Sequence, residues 1–390
     1  MAKITKIETI QYRLPTRREF RWAGLQDSIG GFVCVKVYTD EGVIGYGEAT
    51  PLPDWGGDYH RHCGETMNSV EDIIMNVFAP LLIGEDPTNI VKAHQIMDTY
   101  VRGNTYAKCA VDIALYDAWG KLTGLPVYKL LGGKVRESVQ VGHMIGLMPM
   151  EEARIEARGA YEDGIRAFQI KSGEDFEDDV KTVKMLREEF GSDVWLRLDA
   201  NKGYGDRKTA LNILRKMTDE KGNPLLDMVE QPVEGFEDMA FITANVPMKT
   251  ITDESTWNLA DAFEAVKMQA TDAMSIYLAK AGGLYEAQKI AMLCDTYHIP
   301  VDTNGSLESA IGTAANVHFC LSQPAATLPS VISINAPAGK HICKFAGHFY
   351  EDDICVDALP VKDGAILALE KPGLGIEIDE EKLEKYRVRK

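Results

Sequence analysis

No apolar run in the 390 residues approaches the ~18 that a membrane span needs, and the opening Met1-Ala2-Lys3-Ile4-Thr5-Lys6 lacks the apolar core of a signal peptide. No membrane partner is therefore expected, and a cytoplasmic location is the default. Cationic residues are outnumbered, 42 Lys and Arg against 59 Asp and Glu, for a formal net charge of −17. Nucleic acid needs a clustered cationic face, so it is not an expected partner either. A small anionic substrate stays compatible with this balance, because a bound divalent metal can dominate the field inside a site. Cys-x-x-Cys pairs are also absent. The seven cysteines, Cys34, Cys63, Cys109, Cys294, Cys320, Cys343 and Cys355, are scattered, which reads as reduced thiols used mainly in packing.

What the chain does have is a globular composition, 45% hydrophobic, and a length beyond the usual single core, so two domains are expected. From Lys3 to about Gly47 the text alternates, and Asp40-Glu41-Gly42 supplies a hairpin turn, as in an antiparallel meander. Two loops rich in glycine and aromatics, 17-27 with Trp22 and 51-62 with Trp55 and Tyr59, are candidate substrate covers; ordinary surface loops are the alternative. Helical periodicity runs over about 69-83 and 89-120, and in the second stretch Ala110, Ile113, Ala114, Asp117 and Ala118 share a face. A boundary is expected near Lys134.

Beyond it, strand and helix alternate every roughly 25 to 30 residues, the rhythm of βα units. Strands are expected near 138-146, 167-171, 194-199, 226-230, 249-253, 273-278, 299-303 and 330-334, which makes a (β/α)8-type barrel the economical topology. The text from about Gly347 turns strand-like again and is expected to rejoin the N-terminal meander.

Barrel active sites lie at the carboxyl ends of the strands. There the sequence puts Lys171, Asp199, Glu230 and Asp253 on consecutive units. A single acid at a strand end is more often a helix cap, but three in matching places would repel unless a hard cation lay between them. Mg²⁺ suits an all-oxygen set. A cation so held can take a substrate carboxylate and stabilise the enediolate formed when the adjacent carbon loses its proton. Lys171 is the candidate base, since nearby positive charge depresses a lysine pKa.

Lys171, Leu198-Asp199-Ala200-Asn201, Val229-Glu230-Gln231-Pro232, Asp253-Glu254-Ser255 and Lys280-Ala281-Gly282-Gly283 resemble the strand-end motifs of the enolase superfamily, muconate lactonizing enzyme subgroup. Ala114-Leu115-Tyr116-Asp117-Ala118-Trp119-Gly120-Lys121 and Gly132-Gly133 are similar to that family's helix and linker, and Pro372-Gly373-Leu374-Gly375 is similar to its closing strand, so the resemblance extends over nearly the whole chain. It implies an α/β protein in which an α+β capping domain, from 1-133 and the tail 347-390, covers a barrel over 134-346. It implies Mg²⁺, with Mn²⁺ as the alternative, on Asp199, Glu230 and Asp253, and proton abstraction next to a carboxylate leading to racemisation, epimerisation, cycloisomerisation or β-elimination. The loops at 17-27 and 51-62 would set specificity, and Glu308 resembles the subgroup's seventh-strand acid, which supports the substrate carboxylate. A symmetric homo-oligomer is expected on the same ground. Asn201 is expected as a hydrogen-bond partner of the metal ligands.

Two departures matter. Gln169-Ile170-Lys171 stands where the family usually has Lys-x-Lys, and Tyr277 takes the place of the opposing lysine, with Lys280 matching a second, supporting one. Nor does a histidine stand at Asn304 to make the His-Asp base of the mandelate racemase subgroup. A tyrosine, with an unperturbed pKa of about 10, donates a proton at neutral pH more readily than it removes one. One base and one acid suit a lyase or a cycloisomerase. The competing expectations are a racemase or epimerase of an amino or hydroxy acid, with Tyr277 or Lys280 opposite Lys171, and a non-catalytic barrel that keeps its metal. Trp22, Trp55 and Tyr59 point to an apolar, cyclic or quaternary ammonium portion of the substrate, with a solvated loop surface as the alternative.

Overall fold

The computed structural model describes residues 2–26 and 29–389; Met1, Asp27, Ser28 and Lys390, and with Asp27 the end of the 17-27 loop, lie outside them. The chain begins with the expected meander, β1 (Ile4–Arg13), β2 (Gly31–Thr39) and β3 (Ile44–Ala49), paired antiparallel in sequence order. The helix Thr105–Thr123 packs on it, and the contact depends on small residues. A Cβ added at Gly45 would stand 2.1 Å from the Ala114 carbonyl oxygen, and one at Gly47 would stand 1.9 Å from that of Ala110. The expected helix over 89-120 is in fact two, Ile90–Tyr100 and Thr105–Thr123, separated by a turn in which Gly103 and Asn104 adopt positive φ.

The expected strand at 138-146 is also two. β4 (Ser138–Gln140) leaves the barrel, while β5 (His143–Ile145) opens it. β6 (Ala167–Lys171), β7 (Trp195–Asp199), β8 (Met228–Glu230), β9 (Lys249–Thr252), β10 (Ala273–Ile276) and β11 (Val301–Thr303) follow, each parallel to the one before, in a single seven-stranded curled sheet. Residues 330-334 form no strand. Ser330 and Val331 instead make isolated parallel bridges to Val141 and Asn304 and so occupy the eighth position between the two sheet edges. Helices surround this sheet, and the fold is a (β/α) barrel with an α+β capping layer.

The tail corrects an expectation. β12 (Val361–Lys362) and β13 (Ala365–Leu367) form a hairpin that pairs with β4, below the barrel, and not with the meander. Pro372-Gly373-Leu374-Gly375, the expected closing strand, makes only a bridge from Gly373 to Pro126. Other parts of the tail do rejoin the meander: Tyr350 bridges Thr16, just past β1, and sets its ring edge-on to Phe32 of β2, Val388 N–H donates to the Gln11 carbonyl, and Lys36 pairs with Glu380 at 2.7 Å. Nearly all of the apolar core is one continuous cluster spanning cap and barrel. A small separate cluster, Met228, Ile251 and Ala273, fills the barrel interior beneath the strand ends. Cap and barrel also share a buried polar joint, where Glu48 at the end of β3 accepts from Ser309 N–H at 3.0 Å and from the hydroxyls of Ser309 and Tyr12. Six cysteines are buried and Cys63 is exposed, all unpaired. No helix among the described residues is long and apolar enough to cross a membrane.

Gly47→Ala is expected to cost about 3 kcal/mol through this overpacking. Urea unfolding measures it, and a loss below about 1 kcal/mol would mean that the sheet and helix separate freely. Burial pushes the Glu48 carboxyl up from 4.5 to about 8. Between those values the unfolded chain releases a proton that the folded protein keeps, so Glu48 makes stability fall as the pH rises from about 5 to 8. Glu48→Gln should flatten that slope in unfolding curves taken across the range; an unchanged slope would assign it to other groups.

Candidate active site

β6, β7 and β8 end level with one another. Lys171 is the Cα partner of Asp199, and Asp199 is the partner of Glu230, so three strand-end side chains lie in one layer. Asp253 follows two residues after Ile251, the partner of Glu230, which keeps it on the same face one step higher. Asp199, Glu230 and Asp253 are all fully buried. The amide of Gln169 draws two of them together, donating through Nε2 to Asp199 Oδ2 at 3.0 Å and to Glu230 Oε2 at 2.7 Å. Lys171 Nζ donates to Asp199 Oδ2 at 2.6 Å and to Asn201 Oδ1 at 3.2 Å. Asn201 in turn donates to Glu254 Oε1 at 3.2 Å.

Two supporting groups escaped the sequence reading. Arg197, fully buried, places Nε 3.1 Å from Glu230 Oε2, pairs with Asp302, and donates to Asn304 Oδ1 at 3.0 Å. It lies two residues before Asp199 on the same strand, hence on the same inward face, and that spacing was the available signal. Glu254 is 1% exposed and adds a fourth acid to the cluster. The amide of Asn304 bridges Arg197 and Glu230, with Nδ2 donating to Glu230 Oε1 at 3.2 Å.

Burial and mutual repulsion shift the protonation of Glu230, Asp253 and Glu254. Burial, reinforced by Asp199 and Asp253 and opposed by Arg197, holds Glu230 well above the usual carboxylate range. Burial raises Asp253 also, against the pull of Lys280, and pushes Glu254 up to about 8 with help from Asp253 and Asp199. For Lys171 burial acts downward, but Asp199 and Glu230 outweigh it and the ammonium form is favoured. Burial and the same acids hold Tyr277 far above its ordinary value, so it keeps its proton at neutral pH.

The donor set fits a hard divalent cation. Asp253 Oδ2 and Glu254 Oε2 are buried oxygens without a hydrogen-bond partner, and the Asp199 and Glu230 oxygens converge on one donor. A cation on these carboxylates would also remove the cause that keeps Lys171 protonated.

Lys171 and Tyr277 line one cavity together with Gln169, Asn201, Trp22 and Trp55. Lys171 ends β6 and Tyr277 follows β10, four positions apart in an eight-position barrel, so they stand on opposite walls. Trp55 stacks on both Tyr277 and Trp257, with ring centroids 5.0 and 5.1 Å apart. Trp22 lies 5.4 Å from Lys171 Nζ. Tyr59, expected beside them, turns away: it is 62% exposed and its phenol lies over Gly235. Lys280 does not line this cavity. It is 1% exposed and its ammonium donates to the Asp253 carbonyl and carboxylate and to the Ser275 carbonyl. Glu308 is buried next to the cavity, with Oε1 accepting from Ser306 N–H at 2.9 Å and Oε2 unpartnered.

If these carboxylates hold Mg²⁺, the metal binds the folded chain alone and stabilises it by about 2.7 kcal/mol at a hundredfold excess over its Kd. Thermal unfolding with and without EDTA reads the effect, and Glu230→Gln should abolish it; equal shifts in the variant would place the metal elsewhere.

Residues 8–132 match the model of the mandelate racemase / muconate lactonizing enzyme N-terminal domain, and residues 152–382 match that of the enolase C-terminal domain-like family. The chain is 32% identical over 388 residues to the N-succinyl-L-Arg/Lys racemase of Bacillus cereus, covering 99% of this chain and 98% of the relative. It is 29% identical to muconate cycloisomerase 1 of Rhodococcus opacus, over 96% of each. The crystal structure of muconate lactonizing enzyme from Pseudomonas fluorescens, complexed with muconolactone, superposes with a TM-score of 0.88 at 28% identity, over 99% of this chain and all of that one. With the strand-end acids, the curled barrel and its cap, these matches make the chain a member of the enolase superfamily, in the muconate lactonizing enzyme-like subgroup, whose matched members are racemases, epimerases and cycloisomerases.

Proposed function

We propose that the chain removes the proton next to the carboxylate of a small acid and acts as a lyase by β-elimination, or as a cycloisomerase, with Lys171 as base and Tyr277 as acid. The supporting observation is the pair of unlike groups on opposite walls of one cavity, the amine of Lys171 and the phenol of Tyr277, which keeps its proton. Racemisation asks for groups on both faces that can each take and return a proton, and a phenol held far above its ordinary pKa does so poorly.

Asp199, Glu230 and Asp253 would hold Mg²⁺, or Mn²⁺ in its place. When bound there, the cation supplies positive charge against the substrate carboxylate and against the charge that develops as the α-proton leaves. Lys171 Nζ takes that proton. In an elimination the C–H electron pair becomes the new carbon–carbon double bond, and the β-substituent departs with its own pair and the Tyr277 proton, as water from a hydroxyl. Lys280 keeps Asp253 in place through its three donor contacts, and Arg197 does the same for Glu230. Gln169, Asn201 and Glu308 orient the carboxylate end, while Trp22 and Trp55 shut water from the other side.

A second reading, a racemase or epimerase, is favoured by the 32% identity to the N-succinyl-L-Arg/Lys racemase. Candidate amino and hydroxy acids incubated in D₂O with Mg²⁺ separate the two. Elimination releases water or ammonia, whereas racemisation inverts optical rotation and releases neither. Lys171→Ala should lose both deuterium incorporation and turnover, by about 10²–10⁴-fold, the range for a general base. Tyr277→Phe should keep the exchange but lose product formation to a similar degree. Unchanged turnover in Lys171→Ala would remove that residue from the chemistry.

A further inference from the structure

A second gathering of ligand-type side chains lies away from the barrel mouth, where the cap meets an outer barrel helix. His94 and Asp98 are four residues apart on the helix Ile90–Tyr100 and so share a face, and Glu286 is in the first turn of the helix Leu284–Thr296. One ligand atom from each of the three lies within 4.8 Å of the others. His94 is 2% exposed, and its Nε2 lies 2.7 Å from Asp112 Oδ2. Asp112 is fully buried, and its other oxygen accepts from Leu284 N–H at 2.6 Å. The carboxylate therefore reaches from the cap to the start of the barrel helix. Gly283 permits this, since a Cβ there would stand 2.4 Å from the Asp112 carboxyl carbon.

A ring N–H given to Asp112 through Nε2 leaves Nδ1 as the lone-pair nitrogen, and it has no hydrogen-bond partner among the described residues. A buried carboxylate behind an imidazole fixes the ring's orientation and tautomer, as it does behind metal-binding histidines. Lys108 Nζ bonds Asp98 Oδ1 at 2.7 Å and Lys289 Nζ bonds Glu286 Oε1 at 2.5 Å, leaving Oδ2 and Oε2 as the free oxygens.

We propose that His94 Nδ1, Asp98 and Glu286 bind a divalent cation of the zinc class, tying a cap helix to a barrel helix. One imidazole nitrogen and two carboxylate oxygens suit Zn²⁺, with water as fourth ligand, whereas Mg²⁺ prefers oxygen alone. The site is independent of the carboxylates at the strand ends and of the function assigned to them. A cation bridging the two helices stabilises only the folded chain.

Calorimetric titration of Zn²⁺ into the full chain, held in excess Mg²⁺ to fill the barrel, tests it. Wild type should bind one equivalent more than the double variant Asp98→Asn/Glu286→Gln, or bind it at least tenfold more tightly, and only wild type should gain unfolding temperature from Zn²⁺. Any Zn²⁺ at the exposed Cys63 is common to both proteins and cancels. His94→Gln should give the same loss; because His94 is buried and its removal can unfold the chain, the half-buried pair decides. Equal stoichiometry, affinity and thermal shift in wild type and double variant would overturn the site.

Discussion

Four acids share one dry end of the barrel, and the placement of the surrounding polar groups follows from that. Asp199, Glu230, Asp253 and Glu254 are at most 1% exposed, and an uncompensated buried carboxylate costs several kcal/mol. Each has a specific answer. Arg197, Gln169 and Asn304 face Glu230; Lys171 and Gln169 face Asp199; Lys280 faces Asp253; Asn201 faces Glu254. The compensation stops short at Asp253 Oδ2 and Glu254 Oε2, so the network of pairs does not close on itself.

The cap completes the enclosure, and it does so by close approach. Gly45 and Gly47 bring the meander against the helix Thr105–Thr123, and Glu48 then reaches Ser309 at the start of a barrel helix. The same layer sends Trp55 across the cavity mouth onto Trp257 and Tyr277. Since the core runs unbroken from cap to barrel, the loops that border the cavity are anchored by the whole molecule.

Much of this was legible because strand ends and helix faces leave periodic traces. The run Val194 to Asn201 stops on a carboxylate, as do the runs ending at Glu230 and Asp253, and those residues do lie together. Several readings went astray for physical reasons. Residues 330-334 look like a strand but make only two bridges, because the eighth position closes through isolated contacts to Val141 and Asn304. The 138-146 run contains two strands of different sheets, since Val141 and Gly142 turn away to pair with Ser330. Tyr59 looked like Trp22 and Trp55, but its left-handed backbone, φ 50, directs it outward.

By itself the sequence determined the βα rhythm, the acids that end successive strands, and the replacement of an opposing lysine by Tyr277, because each is a matter of which residue follows which. Only the tertiary structure decided that Lys171, Asp199 and Glu230 stand level, since register depends on how neighbouring strands align. It also decided between Tyr277 and Lys280 as neighbours of the cavity. The lysine's ammonium is used up by Asp253 and Ser275, while the phenol four strand positions from Lys171 faces it across the barrel. That difference is one of direction and distance through space, which residue order does not record.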